Sequence, residues 1–162
     1  MNNTQQRILS SPAVMAMIAS QTKQEVALSS RIRANRERVF HALSIPEYIE
    51  AWFKSPVEDE LRFLFHSVTS ETFRIDLFRG MALQTRVQSC CTILSSEQIR
   101  YSWKITSPGQ RVDTVVDLRL VGSFEGCTLG LKHIGFRDAV ESAWYEQVWR
   151  RSLDALCRLM EK

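Results

Sequence analysis

An α+β fold, in which a curved antiparallel sheet closes around one long C-terminal helix, is the architecture this sequence predicts. Three observations carry it. From Glu25 onward, stretch after stretch alternates apolar and polar residues, the period of half-buried strands. Residues 138–162 run without Gly or Pro and place Tyr145, Trp149, Leu153, Leu156 and Met160 at the spacing of one helical stripe. Between the first strand and the rest stands RERVFHALSIPEYIEAWF, two short helical stripes joined by a proline.

The opening strand puts Val26, Leu28, Ser30, Ile32 and Ala34 on one face, with Arg31 and Arg33 on the other. Asn35 is placed to cap a short helix carrying Val39, Phe40 and Leu43. Ser44 and Pro46 end that helix and begin a second, whose stripe is Tyr48, Ile49, Trp52 and Phe53. Residues 54–71 are less regular, although LRFLFHSV has strand composition. About six antiparallel strands are expected after the two helices. TFRIDLF presents Phe73, Ile75 and Leu77, and ALQTRVQSCCTIL presents Leu83, Val87, Cys91 and Ile93. QIRYSWKI presents Ile99, Tyr101, Trp103 and Ile105, and Pro108-Gly109 turns the chain. VDTVVDLRL directs Val112, Thr114, Val116, Leu118 and Leu120 inward, while Asp113, Asp117 and Arg119 face out, as Asp76 does earlier. CTLGLKHI directs Cys127, Leu129, Leu131 and His133 inward. A sheet with one apolar face needs a cover, and the terminal helix is the element long enough to provide it. The two short helices then plug the open end of the wedge between helix and sheet, with Trp52 and Phe53 as its tip.

At 162 residues the chain suits one domain with a substantial core. Residues 1–24 read as an N-terminal arm and residues 25–162 as the domain. Within the arm, ILSSPAVMAMIA resembles a weak secretory segment, but it lacks a strongly charged flank and is broken by Ser10, Ser11 and Pro12. A short helix capped by Ser11, with Val14, Met17 and Ile18 as its stripe, fits better. Such an arm docks on its own domain or on a partner subunit, so a homodimer through it is one option. No apolar run is long enough to span a bilayer, and no membrane partner is expected. The net charge of +3 is spread along the chain and asks for neither nucleic acid nor anionic lipid. The four cysteines, Cys90, Cys91, Cys127 and Cys157, show no C-x-x-C spacing and read as free, mostly buried thiols of a cytoplasmic protein.

Catalytic chemistry is thinly supplied. There is no G-x-S-x-G, Walker loop or H-E-x-x-H, and no cofactor or metal is expected. His41 lies on the first short helix and His66 in the irregular segment; neither claims a role. His133 is the one histidine among inward-facing residues. Read plainly, it is a core histidine bonded to a carbonyl or hydroxyl. Its functional reading is a donor that orients a ligand beside Tyr101 and Thr114. Metal binding would need two more converging ligands than Cys127 supplies. A cyclase working with a dry pocket, His133 and Tyr101 remains open. On the outer face Arg31, Arg33, Arg86, Arg100, Lys104 and Arg119 mix with Glu97, Asp113 and Asp117, which reads as a solvated surface. Its functional alternative is a chaperone interface. Nucleic-acid binding there would need interleaved aromatic residues, and none is present.

Taken together, RERVFHALSIPEYIEAWF, ETFRIDL, IRYSWKI, TLGLKHIGF and WRRSLDALCRLM resemble the helix-grip superfamily of START-like and birch-pollen-allergen-like proteins (SRPBCC). Within it, the pattern is most similar to homologues of the activator of heat-shock-protein-90 ATPase, over about residues 25–161. Two positions depart from that family's habit: Glu71-Thr72 stands where Gly-Gly is frequent, and Val148 where Gly often precedes the helix Trp. The resemblance implies an internal cavity between the sheet and the C-terminal helix, and members that bind hydrophobic molecules, cyclise polyketides or assist a chaperone. The expected function is therefore non-catalytic binding of an apolar or amphipathic small molecule, with a chaperone-binding module and a cyclase-like enzyme as alternatives. Trp52, Phe73, Ile75, Tyr101 and Trp103 are the expected ligand contacts from the plug and the first part of the sheet. Thr114, Val116, Leu131 and His133 come from the last strands, and Trp149 and Leu153 from the helix.

Overall fold

The computed structural model describes residues 24–55 and 60–162; the helix expected within residues 8–19 lies outside them. The elements run β1 (Glu25–Ile32), α1 (Arg36–Ser44), α2 (Pro46–Trp52), β2 (Leu61–Ser67), β3 (Thr72–Arg79), β4 (Ala82–Leu94), β5 (Gln98–Ser107), β6 (Gln110–Ser123), β7 (Gly126–Ile134) and α3 (Ala139–Met160). Seven strands make one antiparallel sheet in the order β1-β7-β6-β5-β4-β3-β2. The first strand thus pairs with the last, Val26 opposite His133 and Ile32 opposite Cys127. Strands β2 to β7 form a meander, so each finds its neighbour through a short turn. The sheet curls around α3, whose inner face buries Tyr145, Val148, Trp149, Leu153, Leu156 and Met160. Val148, the family's frequent glycine position, is fully buried, so the extra side chain fills the helix–sheet contact.

Both well-capped helices follow the sequence reading. The Asn35 side chain accepts the Arg38 N–H at 2.9 Å, and the Asp138 carboxylate accepts that of Glu141 at 2.9 Å. Asn35→Ala is expected to lower stability by about 1 kcal/mol in urea denaturation, the usual worth of such a cap. The α1–α2 pair is tied down as a unit. The Trp52 indole donates to the Ala42 carbonyl at 2.7 Å, and the Tyr101 hydroxyl, from the sheet, donates to the Leu43 carbonyl at 2.7 Å. Ser152 on α3 accepts the Lys54 N–H at 3.0 Å, and Arg151 donates to the Ser55 carbonyl at 2.9 Å. The doubled helix is thereby pinned between sheet and C-terminal helix.

Three expectations change. β4 carries two irregularities, at Gln84 and at Thr92, each an extra residue against its partner strand. Each bulge reverses the side-chain alternation beyond it. Leu83 therefore pairs with outward Phe78, and Ile93 with outward Arg100, although simple alternation places both inside. Tyr48 is 52% exposed, because α2 turns only Pro46, Ile49 and Trp52 toward the core. Cys90 is exposed, while Cys127 is the fully buried thiol. Asp76 lies on the outer face, as expected, and is buried there. Arg86 grips both its oxygens, at 2.7 and 3.1 Å, with Arg74 at 3.4 Å and His66 at 3.5 Å.

Candidate functional site

The residues expected to contact a ligand lie together in the interior, and they leave almost no room. Trp52, Phe73, Ile75, Tyr101, Trp103, Thr114, Val116, Leu131, His133, Trp149 and Leu153 are each no more than 3% exposed; all but the polar Thr114 and His133 belong to one hydrophobic core cluster. Phe53 is the residue that closes the space. Its ring lies 5.2 Å from Phe63, 5.6 Å from Trp103 and 5.3 Å from Trp149, centroid to centroid. The void left beside Ile75 and Trp103 holds about 10 Å³, which is scarcely one water.

His133 sits at the centre of a closed hydrogen-bond chain. The Trp149 indole N–H donates to its Nδ1 at 3.0 Å, so Nδ1 is the acceptor and the ring proton resides on Nε2. That proton points to the Thr114 hydroxyl oxygen at 2.7 Å, and the hydroxyl in turn donates to the Trp103 carbonyl at 2.7 Å. Burial holds the His133 pKa well below the ordinary histidine value. Both nitrogens of this neutral ring are committed within the core, which matches the plain reading of the residue. Among the described residues no group of His, Cys, Asp and Glu converges as a metal site.

Open space lies instead at one end of the helix–sheet seam. A groove of about 410 Å³ runs between the first turns of α3 and the strand ends of β2 to β6. Its apolar wall is Leu61, Leu77, Ile105, Val112, Val140 and Trp144; its polar groups include Gln84, Gln110, Arg137, Asp138 and Glu141. Leu77, Thr85, Trp144 and Tyr145 border both this groove and the small void beneath, so they form its floor. Tyr145 is anchored from below by the Trp103 indole, which donates to its hydroxyl oxygen at 3.4 Å. Burial raises the Tyr145 pKa, so the phenol keeps its proton. Burial likewise raises that of Glu141, with Asp138 adding to the effect and Arg137 opposing it.

None of the eleven expected contacts lines this groove. They stand behind it, fixing Trp103 and hence Tyr145. The groove residues are drawn from segments more than seventy positions apart, and each carries only an ordinary strand or helix signal. Val112, Ile105 and Leu77 were legible as inward-facing, but that they end at a mouth rather than in the core was not. Trp144 precedes the helix stripe by one position, and that one-step offset on an apolar residue was the available sign.

A curled antiparallel sheet around a C-terminal helix, with two short helices after the first strand and an apolar groove at the seam, defines a helix-grip protein. Residues 33–161 match the family model described as Activator of Hsp90 ATPase homolog 1-like protein, and the chain belongs to that family. Among solved structures it resembles a protein from Chromobacterium violaceum at 20% identity and TM-score 0.73, over 86% of this chain and 98% of that one. A protein of the same family name from Silicibacter pomeroyi matches at 16% identity and TM-score 0.68, over 85% and 97%. DynU16, a protein of the dynemicin biosynthetic locus, matches at 17% identity and TM-score 0.63, over 86% of this chain but 48% of its own. At such identities these likenesses speak for the fold alone. A search of curated proteins finds no match. Among the described residues no helix is long and apolar enough to cross a membrane.

Proposed function

We propose that the protein binds an amphipathic small molecule, without catalysis, in the groove at the mouth of the helix–sheet seam. The observation that carries this reading is the groove itself: about 410 Å³, with an apolar wall and a few polar groups, the charged Arg137, Asp138 and Glu141 at the start of α3 among them. Such a surface is what a small-molecule site requires. The packed interior supplies its rigidity, since Trp103, Phe53 and Trp149 leave the floor no space to collapse into.

The two alternatives have weaker support. A cyclase needs a proton-transferring group facing its substrate, whereas both His133 nitrogens are engaged inside the core. A chaperone interface on the outer sheet would draw on Arg100 and Arg119, yet both approach Asp117, at 3.7 and 3.4 Å.

The test is a fluorescence titration with the neutral apolar probe N-phenyl-1-naphthylamine. Val140 stands at the groove wall and is 81% exposed, so Val140→Trp fills the groove without disturbing the core. Saturable binding by the unaltered protein and at least fivefold weaker binding by the variant, at unchanged melting temperature, are expected. Equal affinities for the two proteins would place the probe elsewhere and defeat the reading.

A further inference from the structure

Among the described residues, one acidic side chain of the groove stands without an ion-pair partner. Arg137 lies 3.6 Å from Asp138, and Arg79 lies 3.5 Å from Glu60, so both cations at the rim have acidic partners. Among the described residues Glu141 has no cation within ion-pair distance, although Arg137 is near enough to oppose the rise in its pKa. Its Oε1 is turned away from solvent and meets no donor among the described residues. A carboxylate oxygen left so costs free energy that a bound donor recovers. Trp144, three residues further along the helix, lines the same groove, and an indole face favours a cation above it. Leu77, Ile105 and Val112 extend the apolar wall beyond.

Resting on the reading that this groove binds small molecules, we infer that its ligand is an amphipathic amine, with Glu141 accepting from the ammonium group and the apolar wall taking the hydrocarbon. The same pocket disfavours a carboxylate of equal length, which would meet Glu141 as a like charge. Neutral ligands lie between the two.

Three probes of matched chain length, decylamine, 1-decanol and decanoate, decide the matter by calorimetric titration at pH 7.5. The unaltered protein is expected to bind decylamine at least tenfold tighter than decanoate. Glu141→Gln is expected to remove at least tenfold of the decylamine affinity while leaving 1-decanol within twofold. Glu141→Lys is expected to reverse the order, favouring decanoate. If decanoate binds the unaltered protein as well as decylamine does, or if Glu141→Gln leaves the preference intact, amine selectivity is overturned while the groove stands. If none of the three binds, both the selectivity and the groove's role as a binding site are overturned.

Discussion

His133→Ala is expected to lower stability by about 3–5 kcal/mol, the combined effect of an emptied core position and stranded polar partners. The Trp149 indole N–H and the Thr114 hydroxyl both lose their bond to the ring. The ring also packs against Phe136 at 4.3 Å and Tyr145 at 5.0 Å, contacts that alanine cannot reach. Urea denaturation at pH 7.5 measures the loss. A second readout isolates the histidine's charge. Its folded pKa is depressed by burial, so the unfolded chain takes up the proton first as pH falls. The stability it contributes is complete above the unfolded value near 6.5 and declines below it. Between pH 7.5 and 5.5 the unaltered protein should lose about 1.4 kcal/mol from this group. His133→Gln keeps a donor and an acceptor but does not titrate, and every other titratable group is common to both proteins. The difference between their two pH profiles should therefore show that loss; parallel profiles would mean that His133 is not the neutral, sealed residue described.

Asp76→Asn is expected to cost about 2–3 kcal/mol at pH 7, somewhat below the range for a fully buried pair because its arginine partners are part-exposed. The side chain keeps its size, but Arg86, Arg74 and His66 lose the one negative charge they share. Burial by itself would raise the Asp76 pKa; the Arg86 hydrogen bond and the surrounding positive charges outweigh it and hold the carboxyl below its ordinary value. The sign follows directly. This stabilisation is present above the unfolded carboxylate pKa near 4 and disappears as pH falls through the lower folded value. The gap between the two proteins in urea denaturation should accordingly be full at pH 7 and should narrow below pH 4. A gap that persists undiminished at pH 2 would assign the effect to packing instead. Asp76 lies on the outer sheet face, so groove binding should be the same in both proteins.

Much of this architecture is legible in the chain because period alone separates strand from helix. The alternation of residues 98–105 and 127–133 identified both the strands and their buried faces. The stripe Tyr145, Trp149, Leu153, Leu156, Met160 identified the covering helix, and all five are buried. Asn35 was recognisable as a cap from its position before an apolar stripe, and Pro46 as a helix start. Alternation failed where the backbone departs from regularity. The extra residues in β4 at Gln84 and Thr92 leave no mark in composition, yet each turns its neighbours over. The outward position of Asp76 was legible, but its burial was not, because that comes from Arg74 and Arg86 lying across it.

The sequence by itself determined the order of elements, the buried face of most strands, the helix that covers them and the short pair that plugs the end. These follow from local periodicity and cap chemistry, which are properties of neighbouring residues. Only the tertiary structure decided whether the wedge between sheet and helix is empty or full. That depends on how Phe53, Trp103 and Trp149 meet, and their volumes add in space, not along the chain. It also decided where open space lies along the helix–sheet seam, because the groove joins Leu77 and Val112 to Trp144 and Glu141 across distances in sequence over which no pattern extends.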